Sequence, residues 1–130
     1  KAKWLEMKPR STWIQYNVRR KPGAWVIPFL NHGRGFYPSG NGKDHGVWRG
    51  TVALDLEKLD LAGRKVSVYR VDYNRDEKDS DPFHARALPT RRKGDRLLVD
   101  LEVQKRTELV VGPKGEALQG YFGKAKPGTE

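Results

Sequence analysis

In "RLLVDLEV", residues 96–103, Leu97, Val99, Leu101 and Val103 fall on one side of an extended chain, with Asp100 and Glu102 on the other. A period of two is the geometry of a β-strand with one face on a core and one in water. A helix cannot bring those four side chains together, because its neighbours recur at three and four positions. The same period runs through "WRGTVALDL", which sets Val52, Leu54 and Leu56 inward if Thr51, Ala53 and Asp55 face out; Gly50 within it is expected to mark a bulge. "RKVSVYRVDY" alternates Val66, Val68 and Arg70 against Ser67, Tyr69 and Val71, and "TWIQYNVRR" sets Ile14, Tyr16 and Val18 against Gln15, Asn17 and Arg19. "AWVIPFLN", residues 24–31, is apolar on both faces, the pattern of a strand covered twice. Pro28 inside it cannot donate to a ladder and predicts an edge position or a bulge. "TELVVG" reads as a short closing strand and "KWLEM" as a seventh segment. In "LEKLDLAG" the leucines at 56, 59 and 61 do not alternate and suit a single helical turn.

Six or seven short extended segments separated by turn residues predict an all-β protein: an antiparallel β-sandwich of about seven strands, with a small β-barrel as the alternative. One domain is expected over residues 1–111. Residues 74–95 read as a long charged connection, and the Gly- and Lys-rich residues 112–130 as a loosely ordered tail. Two turns share their wording, "RRKPG" at 19–23 and "RRKGD" at 91–95. Each is either a solvated hairpin tip that discourages edge pairing or a basic finger for an anionic ligand.

The chain has no cysteine, which removes disulfides, thiolate metal sites and a cysteine nucleophile. It holds no Gly-x-Ser-x-Gly elbow and no phosphate-binding Gly-x-x-x-x-Gly-Lys-[Ser/Thr] loop. No apolar run approaches the roughly 20 residues that span a bilayer, so no membrane partner is expected. The start "KAKWLEM" reads as that of a mature or excised piece of a longer protein. Formal net charge is +10, which favours an anionic partner. That excess is dispersed: the first 60 residues carry eleven basic and five acidic side chains, the remaining 70 fifteen and eleven.

Between "AWVIPFLNH" and "VWRG" runs an unusually long connection, "GRGFYPSGNGKDHG", residues 33–46. Long irregular loops in small domains tend to carry function. His32 and His45 bracket it with Asp44 beside the second, a set able to hold a metal or shuttle a proton, although the spacing fits no zinc pattern; the plainer expectation is that the His32 ring bonds to loop backbone. Asp72, Asn74 and Asp76 occupy the first three ligand positions of a calcium loop. Glu77 then stands where the glycine belongs and Phe83 where the bidentate glutamate belongs. A solvated acidic loop is the plainer reading, and a structural calcium the only cofactor to weigh.

If Ile14, Tyr16 and Val18 face inward, Trp13 points the other way with Gln15 and Asn17, and an indole beside amides suits stacking on a flat apolar face. That is one expected ligand surface. A second is the loop end, with Phe36, Tyr37, Asn41, Asp44 and Trp48, and with Arg34, Lys43 and Arg49 to pair acidic groups. Against this, Trp25 and Trp48 read first as core anchors, and Phe36 and Tyr37 equally suit a loop packed on itself.

"WIQYNVRRKPGAWVIPFLNHG", followed by "GTVALDLEKLDLAGRKVSVYRVD", resembles the β-sandwich domains that follow the catalytic barrel in many bacterial glycoside hydrolases and polysaccharide lyases. "VYRVDYNRDEKDSDPF" is similar to the strand and acidic loop in the accessory β-domain of β-xylosidase and α-L-iduronidase-like enzymes. The likeness spans residues 11–111. It implies a non-catalytic accessory module, extracellular or periplasmic, that binds a polysaccharide (an acidic one if the arginines take part) and neighbours a parent catalytic domain. The alternatives are a purely structural β-domain of such an enzyme and a basic nucleic-acid-binding β-barrel.

Overall fold

The computed structural model describes residues 4–32, 46–73 and 83–118. Among them are ten strands: β1 (Leu5–Lys8), β2 (Ile14–Tyr16), β3 (Arg19–Lys21), β4 (Ala24–Asn31), β5 (Trp48–Asp55), β6 (Val66–Tyr73), β7 (Phe83–Ala87), β8 (Thr90–Lys93), β9 (Arg96–Val103) and β10 (Arg106–Pro113). They form two antiparallel sheets. One has four strands in the order β1-β5-β9-β8; the other has six, β2-β4-β10-β6-β7 with β3 also on β4. Neither sheet closes on itself, so the fold is a β-sandwich and not a barrel. The strand number exceeds the expected seven because β7 and β8, "FHARA" and "TRRK", fall within the stretch expected to be a charged connection. They are short edge strands, and the exposed residues 85–87 of the first and 91–93 of the second carry no period-two signal.

Alternation sets the core. Leu5 and Met7, Val52 and Leu54, and Leu97, Val99, Leu101 and Val103 from the four-stranded sheet meet Ile14, Ile27, Phe29, Val68, Leu109 and Val111 from the other. Leu56, Leu59 and Leu61 cap one end of that core. They reach it through one helical turn, in which the Leu59 N–H donates to the Asp55 carbonyl at 3.1 Å. Removing a side chain as enclosed as Phe29 costs about 3–5 kcal/mol, through lost transfer energy and the cavity left behind.

β2 and β3 are one arm in register terms. Ile14 pairs Asn31, Tyr16 pairs Phe29, Arg19 pairs Val26 and Lys21 pairs Ala24, a single uninterrupted register. The two-residue turn that fixes it has Pro22 followed by Gly23 at φ +79°, the placement of a type II turn. The ladder loosens only at Asn17 and Val18, where the Asn17 N–H donates to the Pro28 carbonyl at 3.3 Å. In an antiparallel pair the N–H and C=O of one residue point the same way, so the donor that Pro28 lacks would have faced this loosened stretch. β4 is therefore central and unbulged, contrary to the edge or bulge expected from Pro28. Gly50 is no bulge either, since β5 and β9 pair without a skip from Trp48↔Val103 to Asp55↔Arg96. A Cβ there would collide with the Lys8 carbonyl and with the Trp48 ring.

"TELVVG" belongs to an eight-residue strand, and β10 is not a closing strand but the centre of its sheet, between β4 and β6. Gly112 and Pro113, expected in the tail, complete it. The chain then turns, and Ala117 packs with Ala24, Val71, Val110 and Tyr69 on the outer side of the six-stranded sheet. β4 is thus covered on both faces over residues 24–26, while Leu30 on its outer face stays exposed. Residues 119–130 lie outside the described residues.

Candidate functional site

Among the described residues the exposed rings Trp13 and Tyr16 stand at β2, on the margin of the six-stranded sheet. Ile14 is buried inward, so the neighbouring odd positions face out. Trp13 precedes the strand but keeps its register: the His32 N–H donates to the Trp13 carbonyl at 2.8 Å, and the Trp13 N–H donates to Ser11 Oγ at 3.2 Å. These bonds fix the backbone on both sides of an indole residue that remains 40% exposed. Gln15 and Asn17 follow on the same face. Gln15 stands opposite Leu30, itself 36% exposed. The His32 ring Nε2 donates to Gln15 Oε1 at 2.8 Å, so this histidine orients the amide beside Trp13; the loop backbone expected to bond the ring, residues 33–45, lies outside the described residues. The structure brings together Trp13, Gln15 and Asn17 as anticipated and adds His32 and Leu30 to them.

Tyr16 faces the interior, as expected, yet stays 38% exposed because β2 is an edge and the sandwich is open beside it. Its ring leans on Phe29, centroids 5.9 Å apart at 38°. It lines a cleft of about 490 Å³ between the edge strands of the two sheets, together with Glu6, Lys8, Arg10 and Ser11 over an apolar floor of Leu5, Met7 and Ile14. The volume lies in the range of small-ligand sites. β1 and β2 are covalently joined but belong to different sheets, so only the three-dimensional arrangement reveals this cleft.

Of the second expected surface, only Trp48 and Arg49 fall among the described residues. Trp48 is buried, 7% exposed, with its indole N–H on the Pro9 carbonyl at 3.0 Å. It shares the inward parity of Val52 and Leu54, and its role is that of a core anchor and not of a ligand platform. Arg49 has the opposite parity and lies on the outer face of the four-stranded sheet, where its Nε donates to Glu102 Oε1 at 2.6 Å. It is paired away from the Trp13 margin. Arg34, Phe36, Tyr37, Asn41, Lys43, Asp44 and His45 lie outside the described residues. The ends of their connection are held: the buried Asn31 side-chain amide donates to the carbonyls of Gly46 (3.1 Å) and Val103 (3.2 Å), tying the connection to both sheets. Asn31 was not singled out from sequence; a polar residue at an inward position of an apolar strand was its signal.

Of the calcium candidates, Asn74 and Asp76 and the side chain of Asp72 lie outside the description. Among the described residues no group of three His, Cys, Asp or Glu side chains is placed to hold a metal.

The outer face of the four-stranded sheet is ionic. Arg91 grips Asp100 with two nitrogens at 2.9 and 3.1 Å, and the Thr51 hydroxyl donates to the same carboxylate at 2.9 Å. The Arg91 hydrogen bonds, then that from Thr51, hold the Asp100 carboxyl below its ordinary range. Glu102 is lowered likewise, first by the Gln104 amide and then by Arg49. Exposed pairs of this kind contribute little to stability. The chain matches no protein-family model and no curated protein.

Proposed function

We propose that the chain is a non-catalytic carbohydrate-binding module that takes a polysaccharide on the outer margin of β2. Trp13 is the stacking platform, and Gln15 and Asn17 are the hydrogen-bonding groups beside it. The observation that carries this reading is the exposed, backbone-fixed indole of Trp13 on one face with two exposed amides. An indole offers a flat apolar surface with a polar edge, suited to the C–H face of a sugar ring. His32 presets the Gln15 amide, so less side-chain freedom is lost on binding. Tyr16 and the polar rim of the adjacent cleft offer a second ring to a chain long enough to turn over the edge. A parent carbohydrate-active enzyme and an extracellular or periplasmic setting accompany this proposal.

Affinity electrophoresis through gels containing neutral and acidic polysaccharides tests it. The native chain should be retarded by at least one glycan, and Trp13→Ala should migrate as in a glycan-free gel. Retardation of Trp13→Ala equal to that of the native chain would overturn the assignment. The competing reading is a structural accessory domain, favoured by the exposure of Leu30 beside Trp13, which together suit an apolar contact with a parent domain. It predicts no retardation by any glycan.

A further inference from the structure

The two identical "RRK" tripeptides, far apart in sequence and on different sheets, come to the same end of the sandwich. The first leads into the β3–β4 turn of the six-stranded sheet, the second into the β8–β9 turn of the four-stranded sheet. One segment, residues 56–65, ties them together. The Trp25 indole N–H, beside the first tip, donates to the Leu59 carbonyl at 2.8 Å. The Leu56 N–H donates to the Asp95 carbonyl in the second tip at 2.9 Å, and Arg92 donates to the Arg64 carbonyl at 2.9 Å. The second tip is a two-residue turn opened by Gly94 at φ +60°, the position a type II′ turn reserves for glycine. Neither tip is a loose arm.

Every residue of both tips is exposed, and so are Lys58 and Arg64 between them. The exposed acids at this end are Glu57, Asp60, Asp95 and Glu116, of which Glu116 lies 3.7 Å from Arg64, and Asp100 further along β9 already pairs Arg91. They are fewer than the cations. Among the described residues the ring at this end is Trp25, half-buried, with Trp4 at 5.3 Å and the Arg20 guanidinium at 5.2 Å from its ring centroid. Recognition here rests on charge. Packed sheets stand about 10 Å apart, so a ligand touching both tips is a polymer and not a lone anion.

We infer that this end is an electrostatic binding site for an anionic polysaccharide, sulfated or carboxylated, bridging the two "RRK" hairpins through Lys58 and Arg64. The choice of polysaccharide over nucleic acid rests on the carbohydrate reading above. The site itself is separate from Trp13.

The test is binding of the whole chain to dextran sulfate, followed against salt concentration, with neutral dextran and a 20-base-pair DNA duplex as companions. The double variants Arg19→Gln/Lys21→Gln and Arg92→Gln/Lys93→Gln should each weaken dextran sulfate binding several-fold. The log–log salt dependence should become shallower by about one for each contact removed. Lys105→Gln/Arg106→Gln, with the same charge change at the opposite end, should bind as the native chain does. Trp13→Ala should keep its affinity for dextran sulfate, so failure of the platform and failure of the basic end are told apart. Unaltered circular dichroism and cooperative melting establish that each variant is folded. Equal losses in the tip and control variants would reduce the effect to net charge and overturn the site. Tighter binding of the duplex than of dextran sulfate, lost in the tip variants, would replace the proposed occupant with nucleic acid.

Discussion

The outer faces of the two sheets solve the same problem in opposite ways. On the four-stranded sheet, Arg49, Thr51, Arg91, Asp100 and Glu102 form ladders of ion pairs and hydrogen bonds in water. On the six-stranded sheet, Ala24, Val26, Val71 and Val110 are apolar and buried, and the turn after β10 lays Ala117 against three of them. Cover thins toward β2, where Leu30 and Trp13 are exposed. A solvated face can tolerate change one side chain at a time. A covered face cannot, and at its thinly covered margin Trp13 keeps 40% of its surface in water. The two faces therefore differ in what mutation does to them, and that difference can be measured.

Val110→Asp would place an unpaired carboxylate on the covered face, and should cost at least about 3 kcal/mol in urea denaturation. Tolerance of the charge would show that the face is open. Gly112→Ala is next. Its Cβ would lie 2.6 Å from the Gly23 carbonyl oxygen and 3.1 Å from Ala117, both parts of the cover and its neighbouring turn. Overpacking of this kind costs roughly 1–3 kcal/mol; a neutral result would mean that the 114–118 turn does not seat there.

The ionic face should respond less, and through pH. Asp100 and Glu102 have lowered pKa values in the folded chain. Each therefore binds protons less readily folded than unfolded, so its contribution is present at neutral pH and is lost as pH falls through the acidic carboxylate range. Asp100→Asn should flatten the acid limb of a melting-temperature profile while barely changing its neutral plateau. A native profile with no acid limb, or one unchanged in the variant, would show that these pairs do not couple to folding. Trp13→Ala should lower stability by about 1–2 kcal/mol at most, because the residue keeps 40% of its surface in water.

How far the sequence foretold this contrast depends on the strand. β9 and β4 were readable because Leu97, Val99, Leu101 and Val103 alternate and because "AWVIPFLN" leaves no polar face. Trp48 was readable too: extending the inward parity of Val52 and Leu54 back by two steps places it in the core, and the same step puts Arg49 on the ionic face. The turn Pro22–Gly23 held the register that brings Gln15 to Leu30 and Trp13 to His32, although only the pairing makes His32 a partner of Gln15. β7 and β8 were hidden because residues 85–87 and 91–93 are all exposed, so no buried alternate writes a period there. The cleft beside Tyr16 was hidden for another reason. It lies between edges of two different sheets, and no local pattern encodes how sheets stack.

Acrylamide quenching of tryptophan fluorescence, with and without a retarding oligosaccharide, addresses the margin of β2 most directly. One indole should quench readily in the native chain, oligosaccharide should shield it, and Trp13→Ala should lack that component altogether. If the oligosaccharide shields Trp13→Ala as well as it shields the native chain, the sugar sits elsewhere and the platform is refuted.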